Sequence, residues 1–541
     1  MFAISPQLSK ILLAFLLLTP WFSLYQKILF PHLAQTGFDG AVITLVELIF
    51  IIFIAAFGKH PRLTKQGALL LTALVGWHVS GVISAYLSEH FYPSLIKQIE
   101  YLLHCMFAYS VWVFLSQTQK QEKIAWFLVF TFLWIIYYIL CAWYINQDPY
   151  NYNWVQGTPL INNIRHLGYL QIVILPFLIF PIINNHQSKY LISSLLLIIF
   201  WTSVIWTGAR STFLASIGLS MIMIWFYRDN RKEIAISLVL SSIIGWFIAL
   251  QFATSSASMD PYRLLFLDSR IEQASINQIS SGRIDIWLGL LKETWHKNIW
   301  FGLGPDTYSY IRPLINSQVS QAHNTLIQLF SGIGIFGISF IVMTVVAILR
   351  IWSASKSNNI TNIARLSLIG VLSASMLDGH FYHSFSLVWI MIVTALGFSP
   401  PKHILDETKK RFILPLLIIA TCTLCLPSIQ KHWHTYIQQQ FPLEHKEQID
   451  AVASFPSYYH PIEWIYSDQT KPELRKEAID LGQKNGPRFC NYYLIEFLES
   501  DLNNQKLLEN NLIRNCSLSE LRATENPEIL KLLNKGKNNE G

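Results

Sequence analysis

Apolar residues along this chain fall into blocks of roughly 15 to 25, close to the roughly 20 that a helix needs to cross a hydrocarbon core about 30 Å thick. Short polar tethers separate the blocks. They lie at about 10–25, 40–57, 67–86, 93–115, 124–145, 167–183, 190–206, 212–226, 234–252, 325–349, 363–377, 385–398 and 412–426. This pattern predicts about 13 membrane-spanning helices, or about 11 if short blocks such as 212–226 and 385–398 are tilted or re-entrant. The expected fold class is therefore an all-α polytopic membrane protein with about 11–13 transmembrane helices. The first block follows Lys10 and lacks a small-x-small cleavage site, so it reads as an uncleaved helix.

Composition agrees. Hydrophobic residues make up 52% of the chain and charged residues 13%, which excludes an ordinary water-soluble core. The net charge of +7 does not point to nucleic acid, because the cations sit in short tethers rather than in a patch interleaved with aromatics. They act instead as topology signals. With the N-terminus in the cytoplasm, the Lys/Arg clusters around 59–65, 120–123, 189, 228–232, 350–365 and 402–411 all fall inside. Only Lys27, Lys97, Arg165 and Arg210 stand in short connections or span ends on the opposite side, and Lys97 has a pairing partner in Glu100 one turn away.

Two polar stretches are too long for tight connections, and both fall outside on this topology: a loop at 253–322 and a tail at 430–541. The chain thus divides into N-terminal transmembrane helices at 1–200, a transmembrane core at 201–429 that includes the loop, and a small helical C-terminal domain at 430–541. The tail carries helix punctuation at Thr470, Pro472 and Gly482, with a capping box at Ser517 and Glu520. Cys490 and Cys516 share that compartment, as a disulfide candidate or as two free thiols, whereas the other four cysteines lie in apolar blocks.

Candidate chemistry gathers at the outer face. The loop contains Ser281-Gly282-Arg283 with Trp287 four residues on, which places Arg283 and Trp287 on one face of a helix. It ends at His323-Asn324, where the next apolar block begins. Arg210 stands in the break Thr207-Gly208-Ala209-Arg210-Ser211-Thr212. An arginine at membrane depth is expensive unless it faces a polar cavity or an anion, and its planar fork of donors suits phosphate. Asn324, Trp287, Asp378 and His380 are possible supporting groups, and Arg165 is a further candidate. Each has a bland alternative: snorkelling for Arg210, a solvated loop charge for Arg283, a capping or packed histidine for His323. Yet residues from at least three segments converge on one face and match one reaction. Two arginines can hold a diphosphate while a histidine accepts a hydroxyl proton. No HExxH or fixed acidic pair accompanies them, so metal-free transfer without a cofactor is the simpler expectation.

The pattern His323-Asn324, nine residues, Gly334-Ile335-Phe336-Gly337 resembles the bacterial O-antigen ligase and O-oligosaccharyltransferase superfamily (Wzy_C type). Thr207-Gly208-Ala209-Arg210-Ser211 and Ser281-Gly282-Arg283-x-x-x-Trp287 look like two further family motifs, and the resemblance covers roughly 201–398. It implies a GT-C-like glycosyltransferase fold in the bacterial inner membrane, with the active site and C-terminal domain periplasmic. It also implies a glycan donor on undecaprenyl diphosphate, with Arg210, Arg283 and Arg165 engaging the diphosphate and His323 activating the acceptor hydroxyl. The extra tail favours a protein acceptor, as in the enzymes that glycosylate serine or threonine of type IV pilins. Transfer to lipid A-core, as in O-antigen ligases, is the alternative. A glycan polymerase and a lipid-linked glycan transporter are the remaining readings; a transporter predicts polar residues spaced through the bilayer rather than collected outside.

Overall fold

The computed structural model describes residues 6–29, 41–58, 64–88, 91–152, 154, 160–161, 166–184, 188–253, 264, 283–308, 322–355 and 357–398, and within them every regular element is helical. In chain order these are α1 (Pro6–Leu29), α2 (Ala41–Phe57), α3 (Lys65–Leu87), α4 (Phe91–Thr118), α5 (Gln121–Ile145), α6 (Leu167–Ile174), α7 (Phe180–Ile183), α8 (Lys189–Thr207), α9 (Arg210–Phe226), α10 (Arg231–Leu250), α11 (Arg283–Asn298), α12 (Thr325–Ala354), α13 (Asn359–Ser375) and α14 (Ser384–Gly397). Among the described residues six helices are long and apolar enough to cross a membrane: Lys65–Leu87, Lys97–Thr118, Gln121–Ile145, Tyr190–Thr207, Arg228–Leu250 and Thr325–Ala354. Five shorter apolar helices accompany them. This is a polytopic helical membrane protein. The block at 412–426, the tail at 430–541 with Cys490 and Cys516, and much of the loop at 253–322 lie outside the described residues.

The outer surface is apolar where a soluble protein would be polar. Leu71, Val75, Val79 and Val82 form an exposed stripe along α3, and Ile236, Val239, Leu240, Ile243 and Phe247 form one along α10. Such faces are stable only against lipid. At the centre every residue from Leu167 to Ile183 is buried. Pro176 and Pro181 lack the N–H needed to continue an α-helix, and a 3-10 turn at Leu175–Ile179 joins α6 to α7.

Two glycines redirect the backbone near Arg210 and beyond His323. Gly208 ends α8 in the left-handed region (φ 62°), which lets the chain turn directly into α9 at Arg210. Within α12, Gly334 breaks the helix with φ 63° and ψ −167°. The break orphans backbone groups on both sides, and the stretch after α11 takes them up. The N–H groups of Leu303 and Gly304 donate to the carbonyls of Ser331 (2.7 Å) and Gly332 (3.0 Å), while those of Ile335 and Phe336 donate to Ile299 (3.0 Å) and Trp300 (3.2 Å). The Ser84 hydroxyl adds a bond to the Gly332 carbonyl at 2.6 Å. Loop and broken helix are thus one unit, since each satisfies polar groups that the other leaves open.

Candidate active site

His323 stands one residue before the N-cap of α12. The cap itself is Asn324, whose side-chain oxygen accepts from the Ile327 N–H at 3.0 Å while its amide donates to the Met376 carbonyl at 2.9 Å. His323 therefore does not cap the helix. Its backbone is in the left-handed region (φ 51°), and its ring is held on the connection between α13 and α14, where Nδ1 lies 3.0 Å from Oδ1 of Asp378. Trp287, one turn into α11, donates from its indole to the Ala322 carbonyl at 2.7 Å and so fixes the residue before the histidine.

Asp378 is the hub of the site. Its Oδ1 accepts from the Tyr169 hydroxyl (3.0 Å) and the Gly379 N–H (2.8 Å) as well as from His323, and its Oδ2 accepts from the Ser211 hydroxyl (3.3 Å). The site brings α6 and α9 together because Gly168 lets them approach: a Cβ there would lie 2.0 Å from the Thr212 hydroxyl oxygen. Burial pushes the Asp378 carboxyl up, but the hydrogen bond and charge of His323, together with the charges of His380 and Arg283, outweigh it. The net result is a carboxyl held well below its usual range. Asp378 is thus an acceptor, and with Nδ1 turned to it the other ring nitrogen of His323, Nε2, points away from the carboxylate. His323 retains 25% side-chain exposure and Asp378 13%, an orienting pair with the imidazole facing outward.

Arg283 lies beside this pair, and Arg210 is joined to it through its chain neighbour. Arg283 begins α11 and donates to the Leu377 carbonyl, next to Asp378. Arg210 begins α9, half-buried and adjacent in the chain to the Ser211 that touches Asp378. Arg283, Trp287, His323, Asn324 and Asp378 thus come together from the starts of two helices and one connection, and Arg210 starts a third helix next to the Ser211 that reaches Asp378. Arg165 lies outside the described residues. His380 is fully buried with its ring 4.5 Å from that of Tyr169, so it packs behind the site. Tyr169 and Ser211 are Asp378 partners that the sequence does not single out. Ser211 is at least the neighbour of Arg210 in a motif, whereas nothing around Tyr169 distinguishes it from other tyrosines at helix ends.

Burial pushes the His380 imidazole below its ordinary value, against the pull of Asp378. The folded protein then binds fewer protons than the unfolded chain as pH falls below the ordinary imidazole value of about 6.5, so this group takes stability away on the acid side. The thermal midpoint is expected to fall between pH 7 and pH 5, and to fall less in His380→Gln. Equal slopes for the two proteins would refute this.

Residues 195–342, which contain Arg210, Arg283, His323 and Gly334, match the family model described as O-antigen ligase (Wzy_C). No curated protein matches the chain. The matched segment stops short of Asp378, which joins the site only through the fold. Residues 195–342 are thus similar to the O-antigen ligase family, and that likeness indicates glycan transfer of the O-antigen ligase type.

Proposed function

We propose that this protein transfers a preassembled oligosaccharide from undecaprenyl diphosphate to a serine or threonine hydroxyl of a protein, such as a type IV pilin, at the periplasmic face of a bacterial inner membrane. The observation that carries the proposal is the His323–Asp378 pair, with Arg283 held on the adjacent Leu377 and Arg210 next in the chain to Ser211 at Asp378. His323 Nε2 takes the proton of the acceptor hydroxyl as that oxygen attacks the anomeric carbon, and Asp378 stabilises the resulting imidazolium. The bond from the anomeric carbon to the diphosphate oxygen breaks with inversion, and the lipid diphosphate leaves as an anion held by Arg210 and Arg283, with Arg165 as a third candidate. His323 then releases its proton to water. The leaving group is already good, so positioning and charge neutralisation provide most of the acceleration, and no residue is assigned to a metal.

The polar, helix-punctuated sequence of 430–541 favours a protein acceptor over a lipid one, because a tail of that length and composition suits the docking of a protein. The deciding experiment incubates the purified protein with a lipid-linked glycan and, separately, a pilin-like protein and lipid A-core, with products identified by mass spectrometry. Glycan on a serine or threonine supports the proposal. Glycan on lipid A-core alone makes the protein a ligase, and longer chains on the carrier make it a polymerase.

Arg283 yields a second expectation. Arg283→Ala removes a fork of donors from the departing diphosphate and is expected to slow transfer roughly 10²- to 10³-fold, the scale of losing one oxyanion donor. Arg283→Lys restores the charge but not the fork and should recover only part. Full activity in Arg283→Ala, measured as initial rate at saturating donor, would remove Arg283 from the mechanism.

A further inference from the structure

A line of ionisable side chains lies buried inside the bundle, away from the His323–Asp378 pair. Lys97, Glu100 and His104 share one face of α4 at spacings of three and four, and Glu47 meets them from α2. None is more than 8% exposed. Lys97 Nζ lies 3.0 Å from Glu100 Oε2, His104 Nε2 lies 3.5 Å from Glu100 Oε1, and His104 Nδ1 lies 2.8 Å from Glu47 Oε1. Charges at such depth cost desolvation energy that apolar residues of the same size would avoid, and buried ion pairs are weak sources of stability. A role beyond holding helices together is the default expectation for such groups.

One end of the line grips the active-site connection. Lys97 Nζ donates to the Tyr382 carbonyl at 2.9 Å and lies 5.0 Å from the centre of the Tyr382 ring, and the Ser384 hydroxyl donates to Glu100. Tyr382 and Ser384 stand at the end of the segment that begins at Met376 and carries Asp378. The start of that segment is held by Asn324 on Met376 and Arg283 on Leu377. Its end is held by α4.

We infer that Lys97 and Glu100 are positioning residues for Asp378: they anchor the far end of the 376–384 segment so that the carboxylate meets His323 Nδ1, while His104, held by Glu47, packs against Glu100 from behind. This rests on the reading of His323 as the base of transfer. With only its first residues tied, the segment lets Asp378 drift, and a misplacement of about 1 Å costs on the order of 10²-fold in rate.

The test uses the full-length protein and measures kcat and donor KM for Lys97→Met, Lys97→Arg and Ser384→Ala, each alone and combined with Asp378→Asn. Lys97→Met is expected to lower kcat roughly 30- to 100-fold with donor KM within about twofold, Ser384→Ala to lower it roughly threefold to tenfold, and Lys97→Arg to recover much of the loss. Added to Asp378→Asn, the α4 variants should cost less than about threefold more, because both act on one element. Wild-type kcat in Lys97→Met and Ser384→Ala, or a full multiplicative loss on top of Asp378→Asn, would overturn the positioning role. If Lys97→Met does not accumulate as a monodisperse protein, Ser384→Ala decides by the same criteria, since it removes a tether without removing a charge. A His323→Ala control separates the two ideas: transfer that survives it defeats the base itself, whereas transfer that it abolishes leaves the α4 variants to decide the anchor.

Discussion

Replacing His323 with alanine is expected to lower transfer by roughly 10³-fold or more, because the acceptor hydroxyl loses its base and Asp378 loses the group it orients. Donor binding should change little, since the diphosphate is assigned to Arg210 and Arg283 rather than to the imidazole. Asp378→Asn should approach the same loss by a different route. An amide in place of the carboxylate no longer enforces a proton on His323 Nδ1, and it stabilises an imidazolium poorly. The two substitutions together should therefore cost scarcely more than His323→Ala alone, the mark of residues that act as a unit. Single-turnover rates with saturating lipid-linked glycan provide the measurement. A His323→Ala protein within tenfold of wild type, or a double variant that multiplies both losses, would show that the 3.0 Å contact is packing rather than catalysis.

The second large effect is structural. Gly334→Ala should destabilise the folded protein by about 3 kcal/mol or more, a size reserved for changes with a named cause. Two causes act here. A Cβ at this position would lie 2.4 Å from the carbonyl carbon and oxygen of Trp300, which are backbone atoms and cannot swing aside. The backbone at φ 63° and ψ −167° is a region that essentially only glycine adopts, which adds about 1–3 kcal/mol for a residue with a side chain. The clamp between 299–304 and the break in α12 would open, and with it the setting of the helix after His323. Gly218→Ala is the control: nothing lies within 4 Å of a Cβ there, inside α9, so the change should be neutral or stabilising by roughly 0.5–1 kcal/mol. Thermal unfolding in detergent distinguishes the two. Equal midpoints would mean that the break is not needed.

The glycine pattern after His323-Asn324 was legible in its spacing and carried the family resemblance. That Gly334 is a helix break filled by a distant stretch of backbone was not legible, because a glycine within an apolar block gives no sign of which groups its freedom will expose. The spacing of Arg283 and Trp287 placed them on one face of a helix; that their side chains donate to the Leu377 and Ala322 carbonyls was not legible in it. Lys97 and Glu100 read as a simple pair across one turn; the bond of Lys97 to the Tyr382 carbonyl joins positions 285 residues apart.

What the sequence determined by itself was what neighbours along the chain can encode: helices from blocks of apolar residues, with an expected orientation from the cations in the tethers and a short set of candidate residues whose chemistry suits an anionic leaving group. Those come from hydrophobic length and from the chemistry of single side chains. The tertiary structure alone decided which of these groups meet. Asp378 reaches His323 across 55 positions, Ser211 across 167 and Tyr169 across 209, and these three bonds of its carboxylate depend on Gly168 letting α6 lie against α9 and on the 376–384 segment being held at both ends. Contacts at such separations depend on how helices pack against one another, and no local periodicity carries that information.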